Sequence, residues 1–217
     1  MIKEERIFIR NGEFLIEALL HNTDSKTAAI ICHPHPLMGG SMHNNVVEAA
    51  CQGFAEKNIA TLRFNFRGVG LSSGSYDEGR GEIQDVICVH RYLQEEGYAD
   101  IFFVGYSFGA WVGAKVISAT NQLFYRVIFI SPPINHFDFD FFELKNKVNL
   151  IICGDADNFC DIADITETCG KIGAKLEIIK GTDHFYWGKE AEIEKIISSH
   201  IKNRQKIIQK KVDFEND

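Results

Sequence analysis

Apolar runs of strand length alternate with longer stretches of helical periodicity along most of this chain. Most of these apolar runs are continuous, which is typical of strands buried on both faces of a parallel sheet. The predicted strands are Thr27–Cys32, Ile59–Phe66, Ile101–Val104, Arg126–Ile130, Asn149–Cys153 and Lys175–Ile179. Strict alternation of strand and helix predicts a doubly wound α/β sheet.

Helical periodicity fills the intervals, and an extended pair of segments precedes them. The predicted helices are Ser41–Lys57, Glu82–Glu96, Ser107–Thr120, Asp161–Ile172 and Gly188–Lys206. At the N-terminus, Asn11-Gly12 joins the extended runs Glu5–Arg10 and Glu13–His21, and this dipeptide between β-rich runs is a strong hairpin signal. We therefore expect a mostly parallel sheet with an antiparallel hairpin at one edge.

The size and composition of the chain indicate one domain. A length of 217 residues with 45% hydrophobic residues suits a single α/β core, and no Pro/Gly/Ser-rich linker divides the sequence. Residues 1–217 are therefore interpreted as one domain, with a polar tail at 207–217 that we expect to fray. A basic cluster near the tail is interpreted as a solvated helix face: Lys202, Arg204, Lys206, Lys210 and Lys211.

Charge, hydropathy and cysteine content disfavour several classes of partner and of cellular location. The net charge of −7 disfavours nucleic acid, and no apolar run is long enough to span a bilayer. The N-terminal segment mixes charges of both signs, unlike a signal peptide. The six cysteines form no C-x-x-C pair and are interpreted as reduced, buried thiols. We expect a cytoplasmic protein that binds neither nucleic acid nor membrane.

The candidate chemistry begins where the predicted strand Ile101–Val104 ends. The sequence there is Gly105-Tyr106-Ser107-Phe108-Gly109, a G-x-S-x-G motif between a strand and a helix. A sharp turn at such a junction holds the serine oxygen above the sheet edge, and the glycines leave room for it. Ser107 is therefore the candidate nucleophile.

A serine nucleophile needs a base and an orienting carboxylate, which should lie on loops after later strands. His184 follows the last predicted strand and is the candidate base. Asp155 and Asp157 both follow the preceding strand, and we favour Asp157 as the acid while Asp155 remains the alternative. The chain order Ser, Asp, His is that of α/β-hydrolases.

These segments together resemble the α/β-hydrolase superfamily, in particular its small, lidless, dienelactone-hydrolase-like group. The matching segments are HPHPLMGG at 33–40, NFRGVGLS at 65–72, GYSFG at 105–109, GDAD at 154–157 and DHF at 183–185. Dienelactone hydrolases use a cysteine nucleophile, whereas this chain has Ser107, which favours an esterase-like activity. The spacing of the acid motif in the family aligns Asp157 with the catalytic acid.

The segment after the predicted strand Thr27–Cys32 occupies the position of the oxyanion loop. A tetrahedral intermediate needs two backbone N–H donors, one of which should come from Phe108, the residue after the nucleophile. Prolines at 34 and 36 have no N–H, which leaves His35 or Leu37 as the second donor. We favour Leu37, and we place His35 among the substrate-binding residues.

A metal site is the alternative interpretation of this loop. The pair His33 and His35 has H-x-H spacing, which occurs in metal hydrolases, and Asp155 or Asp157 could add ligands. No H-E-x-x-H motif or Cys/His quartet accompanies the pair, so we predict no metal and no cofactor.

The interval between Ile130 and Asn149 is too short for a separate cap domain. It contains Phe137, Phe139, Phe141 and Phe142 with acidic residues between them. Alternating Phe and Asp favours an extended segment with one apolar face on the domain. The sharper hypothesis is that Phe139 lines the acyl pocket or a self-association patch.

The combined prediction is a serine hydrolase that acts on a carboxylic ester or related acyl bond of a small molecule. The acyl-enzyme forms on Ser107, His184 is the general base, and Asp157 orients it. A peptidase or thioesterase with the same residues is the first alternative, and a non-enzymatic binding module on the same fold is the second. We expect a monomer or homodimer.

Overall fold

One sheet of eight strands runs through the part of the chain that the computed structural model describes, residues 2–120 and 123–201. Its strands are β1 Glu5–Asn11, β2 Phe14–His21, β3 Thr27–Cys32, β4 Ala60–Phe64, β5 Asp100–Tyr106, β6 Arg126–Ile130, β7 Leu150–Gly154 and β8 Lys175–Ile179. Their order across the sheet is β1-β2-β4-β3-β5-β6-β7-β8. The strands from β4 to β8 pair in parallel, whereas β2 pairs antiparallel with both β1 and β4. The predicted hairpin and fold class are confirmed.

The helices begin and end where the sequence supplies caps. They are α1 Asn45–Ala55, α2 Arg80–Glu95, α3 Phe108–Ala119, α4 Ile162–Ile172 and a last helix, α5, described over residues 190–201. The Asn44 side chain accepts a hydrogen bond from the Val46 N–H, so α1 begins later than the predicted Ser41. Asp161 caps α4 in the same way, and Gly173 ends it with a left-handed φ of 76°.

The core lies on both faces of the sheet because successive strand residues point to opposite sides. In β3, Ala28, Ile30 and Cys32 belong to one apolar cluster, and Ala29 and Ile31 belong to the other. The helices α2, α3 and α4 cover the first cluster, and α1 and α5 cover the second. Both faces of the parallel strands are thus buried, which explains their continuous apolar sequences. Each buried Ile, Leu or Phe side chain contributes about 1.5–3 kcal/mol.

Three further expectations concern the C-terminal residues, the cysteines and membrane-spanning segments. The tail 207–217 and the basic cluster at 202–211 lie outside the described residues. All six cysteines are free; five are buried, and Cys88 is only half-buried, which corrects the expectation for that residue. None of the helices in the described ranges is long and apolar enough to cross a membrane.

A buried ion pair joins the loop after β4 to α2. Arg67 and Asp85 are 8% and 0% exposed, and the Arg67 Nη2–Asp85 Oδ1 distance is 2.7 Å. The same carboxylate accepts hydrogen bonds from the Arg67 backbone N–H at 3.0 Å and from Asn11 Nδ2 at 3.0 Å. Burial would lower the Arg67 pKa, but the hydrogen bond and charge of Asp85 raise it, so the guanidinium stays charged. Asp85 therefore holds three parts of the chain together.

Removal of one partner should be costly because it leaves the other charge buried and unpaired. We expect Asp85→Ala to lower the free energy of unfolding by about 3 kcal/mol, measured by urea denaturation. The matched control is Glu167→Ala, which removes an exposed i,i+4 partner of Lys171 and should leave the midpoint of urea denaturation essentially unchanged. Equal effects of the two substitutions would contradict the structural role of the buried pair.

Candidate active site

Ser107 lies at a strained turn between β5 and α3. Its φ of 54° and ψ of −118° fall in a region that non-glycine residues rarely adopt. The flanking glycines are required by space: a Cβ on Gly109 would lie 2.7 Å from Cys32 O, and a Cβ on Gly105 would lie 2.5 Å from Gly109 O. The turn therefore places Ser107 at the carboxyl edge of the sheet, where the residue as a whole is 9% exposed.

Hydrogen bonds connect Ser107, His184 and Asp157 in a line. The distance from Ser107 Oγ to His184 Nε2 is 2.9 Å. The other ring nitrogen, Nδ1, lies 2.9 Å from Asp157 Oδ2 and 3.0 Å from Asp157 Oδ1. Because the carboxylate accepts at Nδ1, the proton of the neutral ring is there, and Nε2 is free to accept from the serine.

The Asp157 carboxylate is held by its own loop. Its Oδ1 accepts hydrogen bonds from the backbone N–H groups of Phe159 at 2.8 Å and Cys160 at 3.1 Å. Burial alone would raise the Asp157 pKa. The hydrogen bond and charge of His184, with hydrogen bonds from Ser131 and Phe159, outweigh burial and lower this pKa. Asp157 is therefore ionised at neutral pH.

Asp155, the alternative acid, has a different environment. Its Oδ1 accepts hydrogen bonds from the backbone N–H groups of Gly181 at 2.7 Å and Thr182 at 3.4 Å. These contacts tie the loop after β7 to the loop after β8. Of the two carboxylates, Asp157 is the one in contact with His184, and Asp155 connects the loop of Asp157 to the loop of His184.

The expected oxyanion donors differ in their availability. Phe108 is the first residue of α3, so its N–H has no acceptor within the helix. The Leu37 N–H already donates to His35 Nδ1 at 3.2 Å, and its side chain is 72% exposed. The His35 ring packs 4.7 Å from the Phe108 ring. Because its N–H is engaged in this way, Leu37 is the less available of the two candidates, and the identity of the second donor stays a prediction.

The buried His33 side chain stabilises this loop through hydrogen bonds at both ring nitrogens. It is fully buried, its Nδ1 lies 2.6 Å from Pro34 O, and its Nε2 accepts from the Phe66 N–H at 3.1 Å. Burial lowers the His33 pKa to about 4, so the ring is neutral with its proton on Nδ1. Both nitrogens are thus occupied. Across residues 2–120 and 123–201, no group of three or more His, Cys, Asp or Glu side chains is arranged to hold a metal ion.

Aromatic rings surround the oxyanion side of the site. Tyr76 packs 5.1 Å from His35, and its hydroxyl lies 3.3 Å from His35 Nε2. Trp111 packs 5.4 Å from Phe108, and Phe137 packs 5.0 Å from Trp111. Tyr76 and Trp111 were not predicted, because no motif marks them and only the tertiary fold brings them to this position.

A second pair of rings flanks His184. Phe159 lies 4.6 Å from the His184 ring, and Phe185 lies 5.8 Å from it and is 51% exposed. The Tyr106 hydroxyl donates to His184 O at 2.7 Å and fixes the backbone of this loop. The His184 ring therefore lies between apolar rings, and its backbone is held by β5.

The phenylalanine-rich segment has one apolar face on the domain, but Phe139 does not line the site. Phe139 is 8% exposed, belongs to a core cluster and stacks on Phe141 at 6.1 Å. Phe137 is the member of the segment that contacts the aromatic group beside Phe108. The hypothesis of a binding role for Phe139 is replaced by the core alternative, because the segment turns this ring inward.

Comparisons with known proteins agree with this architecture. Residues 24–140 match the Hydrolase_4 family model, described as serine aminopeptidase, S33. The uncharacterized protein RP471 of Rickettsia prowazekii is 30% identical over 210 residues, which cover 90% of this chain and 88% of that protein. The matched family segment contains Ser107 and ends before Asp157 and His184.

Two solved structures are similar over nearly the whole chain. An α/β serine hydrolase homologue from Coxiella burnetii has a TM-score of 0.82 at 30% identity, with 92% of this chain and 97% of that chain covered. XC6422 from Xanthomonas campestris, described as an α/β serine hydrolase without lid, has a TM-score of 0.82 at 27% identity, with 93% and 94% covered. The predicted absence of a cap domain agrees with this similarity.

The burial of Phe139 yields a prediction with an internal control. We expect Phe139→Asp to lower the free energy of unfolding by at least about 3 kcal/mol, because it places an unpaired carboxylate in the core. Phe142 is 84% exposed in the same segment, so Phe142→Asp should change stability by less than about 0.5 kcal/mol. Thermal melts monitored by circular dichroism would check both. A stable Phe139→Asp variant with altered substrate preference would restore the binding hypothesis.

Proposed function

Because this chain belongs to the Hydrolase_4 family of α/β serine hydrolases, we propose that it cleaves a carboxylic ester or related acyl bond through Ser107, His184 and Asp157. The observation that carries this proposal is the pair of short contacts at His184. Its Nε2 lies 2.9 Å from Ser107 Oγ, and its Nδ1 lies 2.9 Å from Asp157 Oδ2. These distances are within the range for direct proton transfer.

In the acylation step, His184 Nε2 takes the Ser107 proton as Oγ attacks the substrate carbonyl carbon. A tetrahedral intermediate forms, and its oxyanion is stabilised by backbone N–H groups. We assign these donors to Phe108 and His35. Asp157 keeps the ring in the required tautomer and stabilises the imidazolium that forms.

The intermediate collapses when His184 returns its proton to the leaving alcohol, which leaves the acyl group on Ser107. Water then attacks the acyl-enzyme, and His184 takes one of the water protons. The second collapse releases the carboxylic acid and restores the Ser107 hydroxyl. This sequence requires no cofactor.

The surroundings of the site support an ester with an apolar group over a peptide. The side chains packed beside Phe108 and His184 are aromatic: His35, Tyr76, Trp111, Phe137, Phe159 and Phe185. With no cap domain, we expect an open site that accepts small or flexible substrates.

An aminopeptidase is the second candidate function, because the family model is described as serine aminopeptidase, S33. The two functions share the same nucleophile and base, so only the scissile bond separates them. A comparison of a p-nitrophenyl ester with the p-nitroanilide of an amino acid would decide. Preferential cleavage of the anilide would favour the peptidase.

The first test of the proposal is covalent labelling of the nucleophile. We expect a fluorophosphonate probe to label Ser107 and the protein to hydrolyse a short-chain p-nitrophenyl ester. The variants Ser107→Ala and His184→Ala should each lose essentially all turnover, and the double variant should lose little more, because these residues act as a unit.

Ser118→Ala is the matched control for that test. Ser118 lies at the far end of α3, where its hydroxyl bonds Ala114 O, so its removal should leave labelling and turnover unchanged. Ester turnover by Ser107→Ala close to that of the original protein would reject the mechanism.

The two aspartates give the second test. We expect Asp157→Asn to reduce kcat by roughly 10⁴, because the amide favours the wrong His184 tautomer. Asp155→Asn should cost about tenfold or less, since Asp155 contacts only backbone N–H groups of the loop that carries the base. Steady-state kinetics on the ester would measure both, and the reverse ranking would transfer the role of the acid to Asp155.

A further inference from the structure

Two buried residues near the candidate acid have an unusual backbone. Ser131, directly after β6, has a φ of 44°, and Tyr186, two residues after His184, has a φ of 58°. Both are 0% exposed. A bulky residue such as tyrosine is a genuine outlier at positive φ, and such strain persists only where the surrounding structure imposes it. The strain at both positions therefore needs an explanation.

The hydroxyl groups of these residues meet in the core. The distance from Ser131 Oγ to Tyr186 Oη is 2.6 Å. Ser131 is fixed by its backbone, whose N–H donates to Ile152 O in β7 at 2.8 Å. Tyr186 is fixed by its ring, which packs in the cluster under α1 and α5 and lies 6.4 Å from the Tyr106 ring. Each hydroxyl thus has a partner and a defined place.

The direction of this hydrogen bond follows from the charges nearby. Burial raises the Tyr186 pKa well above its ordinary value, and the negative charge of Asp157 raises it further, so Tyr186 keeps its proton. A hydrogen bond from Ser131 is among the causes that lower the Asp157 pKa, and the ionised carboxylate has no proton to donate at neutral pH. Ser131 must therefore donate to Asp157 and accept from Tyr186.

We propose that Ser131 and Tyr186 are positioning residues of the active site, forming a relay of donors in which Tyr186 Oη donates to Ser131 Oγ and Ser131 donates to the Asp157 carboxylate. This inference rests on the proposed function for its catalytic consequence. The relay fixes the carboxylate from the core side, while Phe159 and Cys160 fix it from the loop side. A carboxylate held from both sides keeps the His184 ring aimed at Ser107.

The titratable groups that face Asp157 come from several elements, and together with Ser131 they determine the pKa of its carboxyl. The titratable groups are His184 and Tyr186 from the loop after β8, Tyr106 from β5, and Cys160 from the loop of Asp157 itself. The hydrogen bond from Ser131 is one of the causes that lower the Asp157 pKa, so its loss raises the pKa of that carboxyl. The acidic limb of activity would then move to higher pH.

The test uses substitutions chosen to preserve folding. Ser131→Gly removes the hydroxyl, and glycine adopts a φ of 44° without strain, so the melting temperature should stay within a few degrees of that of the original protein. Tyr186→Phe removes one oxygen atom and keeps the ring. The control is Tyr98→Phe, because Tyr98 is a buried tyrosine whose hydroxyl bonds Asn22, away from the carboxyl edge of the sheet.

The kinetic readout is the rate of ester hydrolysis against pH. We expect Ser131→Gly to lower kcat about tenfold, as for loss of one hydrogen bond to a charged group, with KM changed less than about twofold. Its acidic limb should move upward by roughly half a pH unit or more. Tyr186→Phe should cost about threefold, since Ser131 still reaches Asp157. Because Tyr186 acts through Ser131, the double variant should be no slower than Ser131→Gly.

A spectroscopic readout separates this proposal from the proposed function. The downfield ¹H resonance of His184 Nδ1–H reports its hydrogen bond to Asp157 in the free protein, without any substrate. We expect it to shift in Ser131→Gly and Tyr186→Phe and to stay in place in Tyr98→Phe. If the original protein hydrolyses no acyl bond and the resonance still shifts, the proposed function fails and the relay stands.

Other outcomes would overturn the relay itself. An unshifted resonance in Ser131→Gly does so, whether or not the protein is active. So does a Ser131→Gly variant with unchanged kcat and an unchanged acidic limb. Additive losses in the double variant would show that Tyr186 does not act through Ser131.

Discussion

The site depends on the close approach of α3 to the end of β3. A Cβ at Gly109 would lie 2.7 Å from Cys32 O and 2.8 Å from His33 O, so only glycine permits this contact. Ser107, at the start of this turn, has a φ of 54°, a conformation that costs about 1–3 kcal/mol. In return, the first turn of α3 lies against the loop that carries His35. Nucleophile and both candidate oxyanion donors therefore share one rigid junction.

The other half of the site is assembled by hydrogen bonds between loops. Asp155 joins the loop of Asp157 to the loop of His184 through Gly181, and Tyr106 holds His184 from β5. Asn45 at the start of α1 donates to Phe185 O at 3.0 Å and to Glu190 at 2.8 Å. Because each loop is tied to a regular element, the His184 ring has little freedom to leave Ser107. These polar contacts fix the positions of the loops, and apolar packing fixes the positions of the strands.

Local and periodic features of the sequence predicted much of this architecture. Continuous apolar runs mark the parallel strands because both sheet faces are covered, and G-x-S-x-G marks the elbow because two close contacts exclude any Cβ. His184 and Asp157 were candidates because parallel strands bring their following loops to one edge. These inferences need only the order of elements along the chain.

Features set by side-chain packing could not be predicted in this way. Leu37 and His35 both have a backbone N–H, and the sequence does not reveal that the Leu37 N–H donates a hydrogen bond to the His35 ring. Phe137 and Phe139 have the same phase in an alternating pattern, so periodicity cannot tell which one contacts the site. Ser131 and Tyr186 belong to no motif, and neither residue type signals positive φ as asparagine does at Asn58.

The first turns of the helices differ in their content of acidic residues. In α1, α2 and α4 the first turn contains an acidic residue, respectively Glu48, Glu82 and Asp164, which compensates the positive end of the helix dipole. The first turn of α3 contains none. An acidic side chain there would stabilise the helix by about 0.3–1 kcal/mol, but it would also repel an oxyanion at the N–H of Phe108. The positive end of α3 is therefore available to the negative charge that develops on the substrate in the proposed reaction. The absence of an acidic residue costs the helix a small amount of stability.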